Sequence, residues 1–135
     1  VLGLPGALVQ LAEAWKRLGR ADKALWALDK ADNQEHGRGT RCWEAEIARL
    51  RAELVGEGLD RDLHAARSWY RRALEAARRQ GARSLELRAA LSYAKVLGSP
   101  GQSREARELL EQIVSAFTEG AETVELREAQ TFLNP

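Results

Sequence analysis

Methionine is absent from this 135-residue sequence, cysteine occurs once and proline three times. Each shortage excludes something. With no methionine anywhere, the first residue included, the chain is expected to be a segment of a longer protein. The lone cysteine, Cys42, cannot form an internal disulfide and fits a reducing compartment, so a cytoplasmic location is expected. Few prolines leave helices uninterrupted, and few β-branched residues argue against a sheet. No apolar run is longer than a few residues, so no segment is expected to span a membrane, and no basic-then-apolar leader is visible. Neither charge dominates: 21 basic residues face 20 acidic ones, a formal net charge of +1. That balance, interleaved along the chain, gives no general attraction to nucleic acid or to anionic lipid.

What remains is abundant Ala, Leu, Arg and Glu, which are helix formers. Hydrophobic residues make up 44% of the chain, enough for a core and too many for a disordered segment. Apolar residues recur at spacings of three and four nearly throughout. The stripes and stops predict seven helices, at about 5–18, 21–36, 40–55, 62–80, 84–97, 103–117 and 123–133. Pro5 suits a first helical turn. Thr40, Asp62 and Ser84 are read as N-caps, and Gly19, Gly37, Gly39 and Gly81 as stops. Gly56, Gly58 and Asp60 are expected to form one turn, and Gly98-Ser99-Pro100-Gly101 another. Short links predict antiparallel neighbours: three hairpins at about 5–36, 40–80 and 84–117, then a terminal helix at about 123–133, in one domain.

The second helix of each hairpin begins alike. Alignment on Ala24, Ala66 and Ala106 steps by about 40 residues. A large residue follows four positions on, at Leu28, Tyr70 and Leu110. Upstream, the first helices carry Ala12, Ala52 and Ala94. Small residues let helices approach closely and large ones fill the space beside them, which is the packing logic of the tetratricopeptide repeat. The first hairpin carries that signature best, at Leu8, Leu11, Ala12, Trp15, Ala24, Leu28 and Ala31. The fold expected is therefore all-α, a tetratricopeptide-like right-handed superhelix of three hairpins, with the seventh helix capping the last apolar face.

Longer blocks sharpen the comparison: Trp43 to Leu54, Tyr70 to Ala90, and Phe117-Thr118-Glu119-Gly120 followed by Leu126-Arg127-Glu128-Ala129. Together they resemble the C-terminal helical region of bacterial multidomain signalling proteins. In those, a class III adenylate or guanylate cyclase domain, or a DNA-binding activator domain, is joined to a P-loop ATPase and then to tetratricopeptide repeats. The resemblance covers about residues 3–133. It implies a non-catalytic protein-interaction or regulatory module whose partner is a protein, a peptide or another domain of the parent chain. A homo-oligomerisation scaffold without a separate ligand is the alternative.

Candidate chemistry is thin. Cys42, His36 and His64 match no zinc spacing, so no metal, cofactor or catalytic residue is expected. Asp60 and Asp62 read as turn and cap chemistry, and neither glycine-rich turn is followed by the Lys-Ser or Lys-Thr of a phosphate loop. Trp15 and Trp43 lie on core stripes. Trp26 and Trp69 lie off them and are read as packing against a neighbouring repeat or as a binding patch. Arg71, Arg72, Arg78 and Arg79 form a basic side of the fourth helix, interrupted by Glu75 and explained by i,i+4 pairs such as Glu75–Arg79. In this repeat class the first helix of each hairpin lines a concave groove. There the polar residues Glu13, Arg17, Arg49, Glu53, Arg88 and Lys95 need not be core, and their mixed signs suit a peptide or partner domain. An ordinary charged surface is an equal reading.

Overall fold

The computed structural model describes residues 3–39, 41–58, 60–97, 104–117 and 123–134. Among these there are seven helices and no strand: α1 Gly3–Arg17, α2 Ala21–Arg38, α3 Glu44–Glu57, α4 Leu63–Gln80, α5 Arg83–Leu97, α6 Arg104–Ala116 and α7 Val124–Leu133. None is long and apolar enough to cross a membrane.

Local chemistry sets most of the boundaries. Asp62 caps α4, its carboxylate accepting from the Ala65 amide at 3.0 Å. Thr123 caps α7 in the same way, accepting from Leu126 at 3.1 Å. Gly39 and Gly81 close α2 and α4 with φ of +68° and +66°, a conformation that strains any residue with a Cβ.

Some expected boundaries move. Gly37 does not stop α2, which runs on to Arg38. Helix α3 starts at Glu44 rather than near residue 40, and Thr40 lies outside the described residues. The shift has a cause: the buried Glu35 carboxylate accepts from the Trp43 amide at 2.8 Å and pins the preceding segment to α2. Cys42 therefore sits in an exposed turn, not in a helix. Ser84 lies inside the first turn of α5, one residue past its start. The turn expected at 98–101, and the start of the sixth helix at Ser103, lie outside the described residues.

Gly56 is the most informative departure. It is not in a turn but buried in the last turn of α3. A Cβ there would sit 2.7 Å from Val96 Cγ1 and 3.1 Å from Ala66 Cβ. Glycine is needed because α3, α4 and α5 converge on it.

Packing follows chain order. Each of α1, α3 and α5 packs on the helix after it and also on the next odd-numbered helix, while α7 rests on α5 and α6. Even-numbered helices touch the odd-numbered helix that follows. One apolar cluster runs from α3 to α7 around Ala66, Tyr70, Leu87, Tyr93 and Leu110, and a second joins α1, α2 and α3 around Ala12, Leu28 and Leu50. The alignment alanines Ala24, Ala66 and Ala106 are all fully buried, as are Ala52 and Ala94. The large partners Leu28, Tyr70 and Leu110 are fully buried too, each apolar side chain contributing about 1.5–3 kcal/mol relative to exposure.

Candidate functional site

Since each odd-numbered helix packs beside the next, their free faces line up. They form a groove of about 560 Å³ lined by residues of α1, α3, α5 and α7. All six residues singled out in the sequence, Glu13, Arg17, Arg49, Glu53, Arg88 and Lys95, border it. They differ in availability. Arg49 and Glu53 are buried in its floor, Glu13 and Arg88 are half-buried, and Arg17 and Lys95 are exposed on its walls.

A chain of ion pairs crosses the floor. Glu13 on α1 lies 3.8 Å from Arg49 on α3. Arg49 donates through Nε to Glu46 at 2.9 Å and through Nη1 to Glu53 at 2.6 Å. Glu46 also accepts from Arg88 on α5 at 2.5 Å, and the second arm of Arg88 reaches Glu125 on α7 at 2.9 Å. Four helices are thus tied by alternating charges. The planar guanidinium suits this role because its donors diverge in a fixed fork. Glu53 is tied three ways: to Arg49, to Lys16 of α1 at 2.8 Å and to Ser92 of α5 at 2.6 Å.

The protonation states follow from this wiring. Burial pushes the Glu53 carboxyl up, but Arg49, Lys16 and Ser92 outweigh it and hold the group below the usual carboxylate range. The same contest keeps Glu46 low, burial against Arg49 and Arg88. Burial pulls the Lys16 ammonium down, while Glu53 and Glu57 more than restore it and leave it raised. Glu125 is lowered by its own amide at the start of α7 and then by Arg88. Every charged residue on the groove wall has an opposite charge within 4 Å: Lys16 with Glu53 and Glu57, Arg17 and Arg49 with Glu13, Arg88 with Glu125, and Lys95 with Glu128.

Sequence reasoning missed Lys16, Glu57, Ser92, Glu125 and Glu128. Lys16 had a legible signal, standing three residues after Glu13 on the same helical face. Glu125 and Glu128 were missed because α7 read as a cap for the last hairpin, whereas it also supplies one wall of the groove.

The other candidates resolve differently. Among the described residues no group of His, Cys, Asp and Glu could hold a metal ion. Trp69 is half-buried with Arg51 and Arg72 stacked over it at 5.0 and 4.8 Å, while Trp26 is 54% exposed beneath Lys30. The basic side of α4 is taken up in pairing between helices: Arg71 with Glu105, Arg78 with Glu86, and Arg79 with Glu44 rather than with Glu75. Compared with family models, with curated proteins and with solved structures, the chain matches none.

Proposed function

We propose that this chain is a non-catalytic interaction module of the tetratricopeptide type, whose groove receives an extended peptide or a segment of a partner domain. The observation that carries the reading is the groove itself: four odd-numbered helices present their free faces to one concavity. That is the arrangement expected of a right-handed array of hairpins closed by a seventh helix. The repeated burial of Ala24, Ala66 and Ala106 supports the same register. The binding role is an analogy at the level of fold.

Charge pairing favours binding over catalysis. A general base or nucleophile works through an ionisable group whose proton affinity is tuned toward its task. Here the floor carboxylates Glu46 and Glu53 are held low and fully ionised by their partners. A ligand would exchange wall pairs such as Lys95–Glu128, half-exposed on both sides, for its own charges. The floor pairs would stay in place and keep the helices in register. Within a larger cytoplasmic signalling protein, of the cyclase or activator kind that the sequence resembles, such a groove would couple a partner to the output domain.

A displayed library of random peptides selected against the chain tests this. Enriched peptides should carry both signs of charge, bind more weakly as salt rises, and lose about tenfold or more in affinity to Lys95→Glu. Failure to enrich any peptide, or enrichment indifferent to Lys95→Glu and Arg17→Glu, would overturn the reading.

A further inference from the structure

The pairs that cross the groove ascend together along its helices. Glu13 meets Arg49 and, further along, Lys16 meets Glu53. Glu46 meets Arg88, then Glu53 meets Ser92. Arg88 meets Glu125, then Lys95 meets Glu128. The odd-numbered helices therefore run parallel, and residues at one level can be matched. Glu57 lies about one turn beyond Glu53, and Lys95 about one turn beyond Ser92. Lys16 reaches both Glu53 and Glu57, which sets its neighbour Arg17 at that level too. Arg17, Glu57, Lys95 and Glu128 thus form one row across the groove, one charge per helix and alternating in sign.

This row is the part of the groove free to change partners. Glu46, Arg49 and Glu53 are buried. Arg88, Glu13 and Lys16 each hold one of them, so drawing any of these three to a ligand would strand a buried charge. Glu125 is tied to Arg88 and to the start of its own helix. In the row, by contrast, the Arg17 side chain is 77% exposed and those of Glu57, Lys95 and Glu128 are about half exposed. Among the described residues that line the groove Leu91 alone is apolar, and it is buried. No apolar hole receives an anchor, so recognition falls to charge.

Spacing then selects the ligand's conformation. Packed helices lie about 8–10 Å apart. A β-strand returns to one face every second residue, about 6.6–6.8 Å, which falls short of that interval. A polyproline II helix returns every third residue, about 9.3 Å, which matches it.

We propose, on the premise that the groove receives an extended peptide, that the ligand is a polyproline II segment with charges of alternating sign at every third residue. Read from α1 to α7, it offers an acidic, a basic, an acidic and a basic side chain to Arg17, Glu57, Lys95 and Glu128. Lys95 and Glu128 part, and each takes a ligand charge. Glu57 exchanges Lys16 for a ligand cation while Lys16 keeps Glu53. The intervening residues face out of the groove. Proline suits them, because this conformation has no internal hydrogen bond to lose and proline sets it in advance.

Calorimetry at low salt tests this with two synthetic peptides, Glu-Pro-Pro-Lys-Pro-Pro-Glu-Pro-Pro-Lys and its reversal, one for each chain direction. The better of the two should bind about tenfold more tightly than an isomer of the same composition with charges two residues apart, or than one with like charges in blocks. Serine in place of the prolines should weaken it, since a flexible chain has more conformations to lose. Lys95→Glu should cost about tenfold, and changing the inner peptide glutamate to lysine should recover most of that. A variant that had merely misfolded would not be rescued in this way. Equal binding of the isomers, absence of rescue, or binding by library peptides but by neither designed one would overturn the alternating pattern and leave the groove a peptide site. Failure of library and designed peptides alike would overturn the groove reading with it.

Discussion

Tyr70 donates its hydroxyl proton to Ser92 across the α4–α5 interface at 2.7 Å. The direction follows from Glu53. Ser92 has one proton and directs it to the ionised Glu53 carboxylate at 2.6 Å, so its oxygen can only accept from Tyr70. The core is thereby wired to the groove floor: a fully buried ring on α4 orients a serine on α5, which holds a carboxylate on α3. Burial pushes the Tyr70 phenol well above its ordinary range, so it stays a donor throughout the accessible pH range.

Ser92→Ala should therefore lower stability by about 1–3 kcal/mol, because it strands the Tyr70 hydroxyl and removes a donor from Glu53. Tyr70→Phe should lower it by about 1 kcal/mol. In the double variant the losses should add to less than their sum, since the second change removes a bond already broken. Urea denaturation of the four proteins measures the coupling, and strict additivity would mean that the relay is not formed.

Acid should weaken the fold through Glu46 and Glu53. Both carboxyls lie below their ordinary range when folded, so the stability they contribute is present above the unfolded value of about 4.3 and is lost as pH falls through their folded values. Arg49→Met should lower stability at neutral pH by about 3–5 kcal/mol, as it leaves buried carboxylates short of a partner. It should also flatten or invert the acid limb, because carboxyls raised by burial regain stability on protonation. Thermal melts between about pH 3 and 7 compare the two profiles.

Gly56→Ala should destabilise despite the better helix propensity of alanine. The gain of about 1 kcal/mol from propensity is outweighed by overpacking, which typically costs about 1–3 kcal/mol. The new Cβ would stand 2.7 Å from Val96 Cγ1. Val96→Ala in the same chain should recover part of the loss in a melting experiment. A higher melting temperature for Gly56→Ala alone would show that α3 and α5 can part there at no cost.

Ala66→Asp should be the most severe of these changes. Ala66 is a fully buried residue of α4 in the apolar cluster it shares with α3 and α5, where an added carboxylate would lose its hydration. A loss above about 4 kcal/mol is expected, enough to unfold a domain of ordinary stability. Circular dichroism at room temperature reads it directly, and an unchanged melting temperature would mean that the repeat register is wrong.

Much of the fold was legible because it is written in local terms. Apolar residues at three and four spacing, Asp62 before Leu63, and Gly39 and Gly81 at helix ends specify helices and their limits through chemistry within one or two turns. The close-packing alanines also showed, since a recurring small residue followed by a large one has few readings other than helix against helix. The six groove residues were reachable because the first helices of the hairpins share one face.

Only the tertiary structure decided what those residues do. Arg49 and Glu53 read as surface charges, yet they are buried: Glu46 on their own helix satisfies Arg49, Lys16 of α1 and Ser92 of α5 satisfy Glu53, and Arg88 of α5 in turn holds Glu46. Gly56 read as a turn until α4 and α5 were seen to close on it. Leu11 read as part of the packed repeat signature, yet it is exposed, because among the described residues α1 packs only on α2 and α3, with Val9 and Ala12 turned to the core. Periodicity tells that a face is apolar; which partner covers it is a long-range fact, set by the approach of helices distant in sequence.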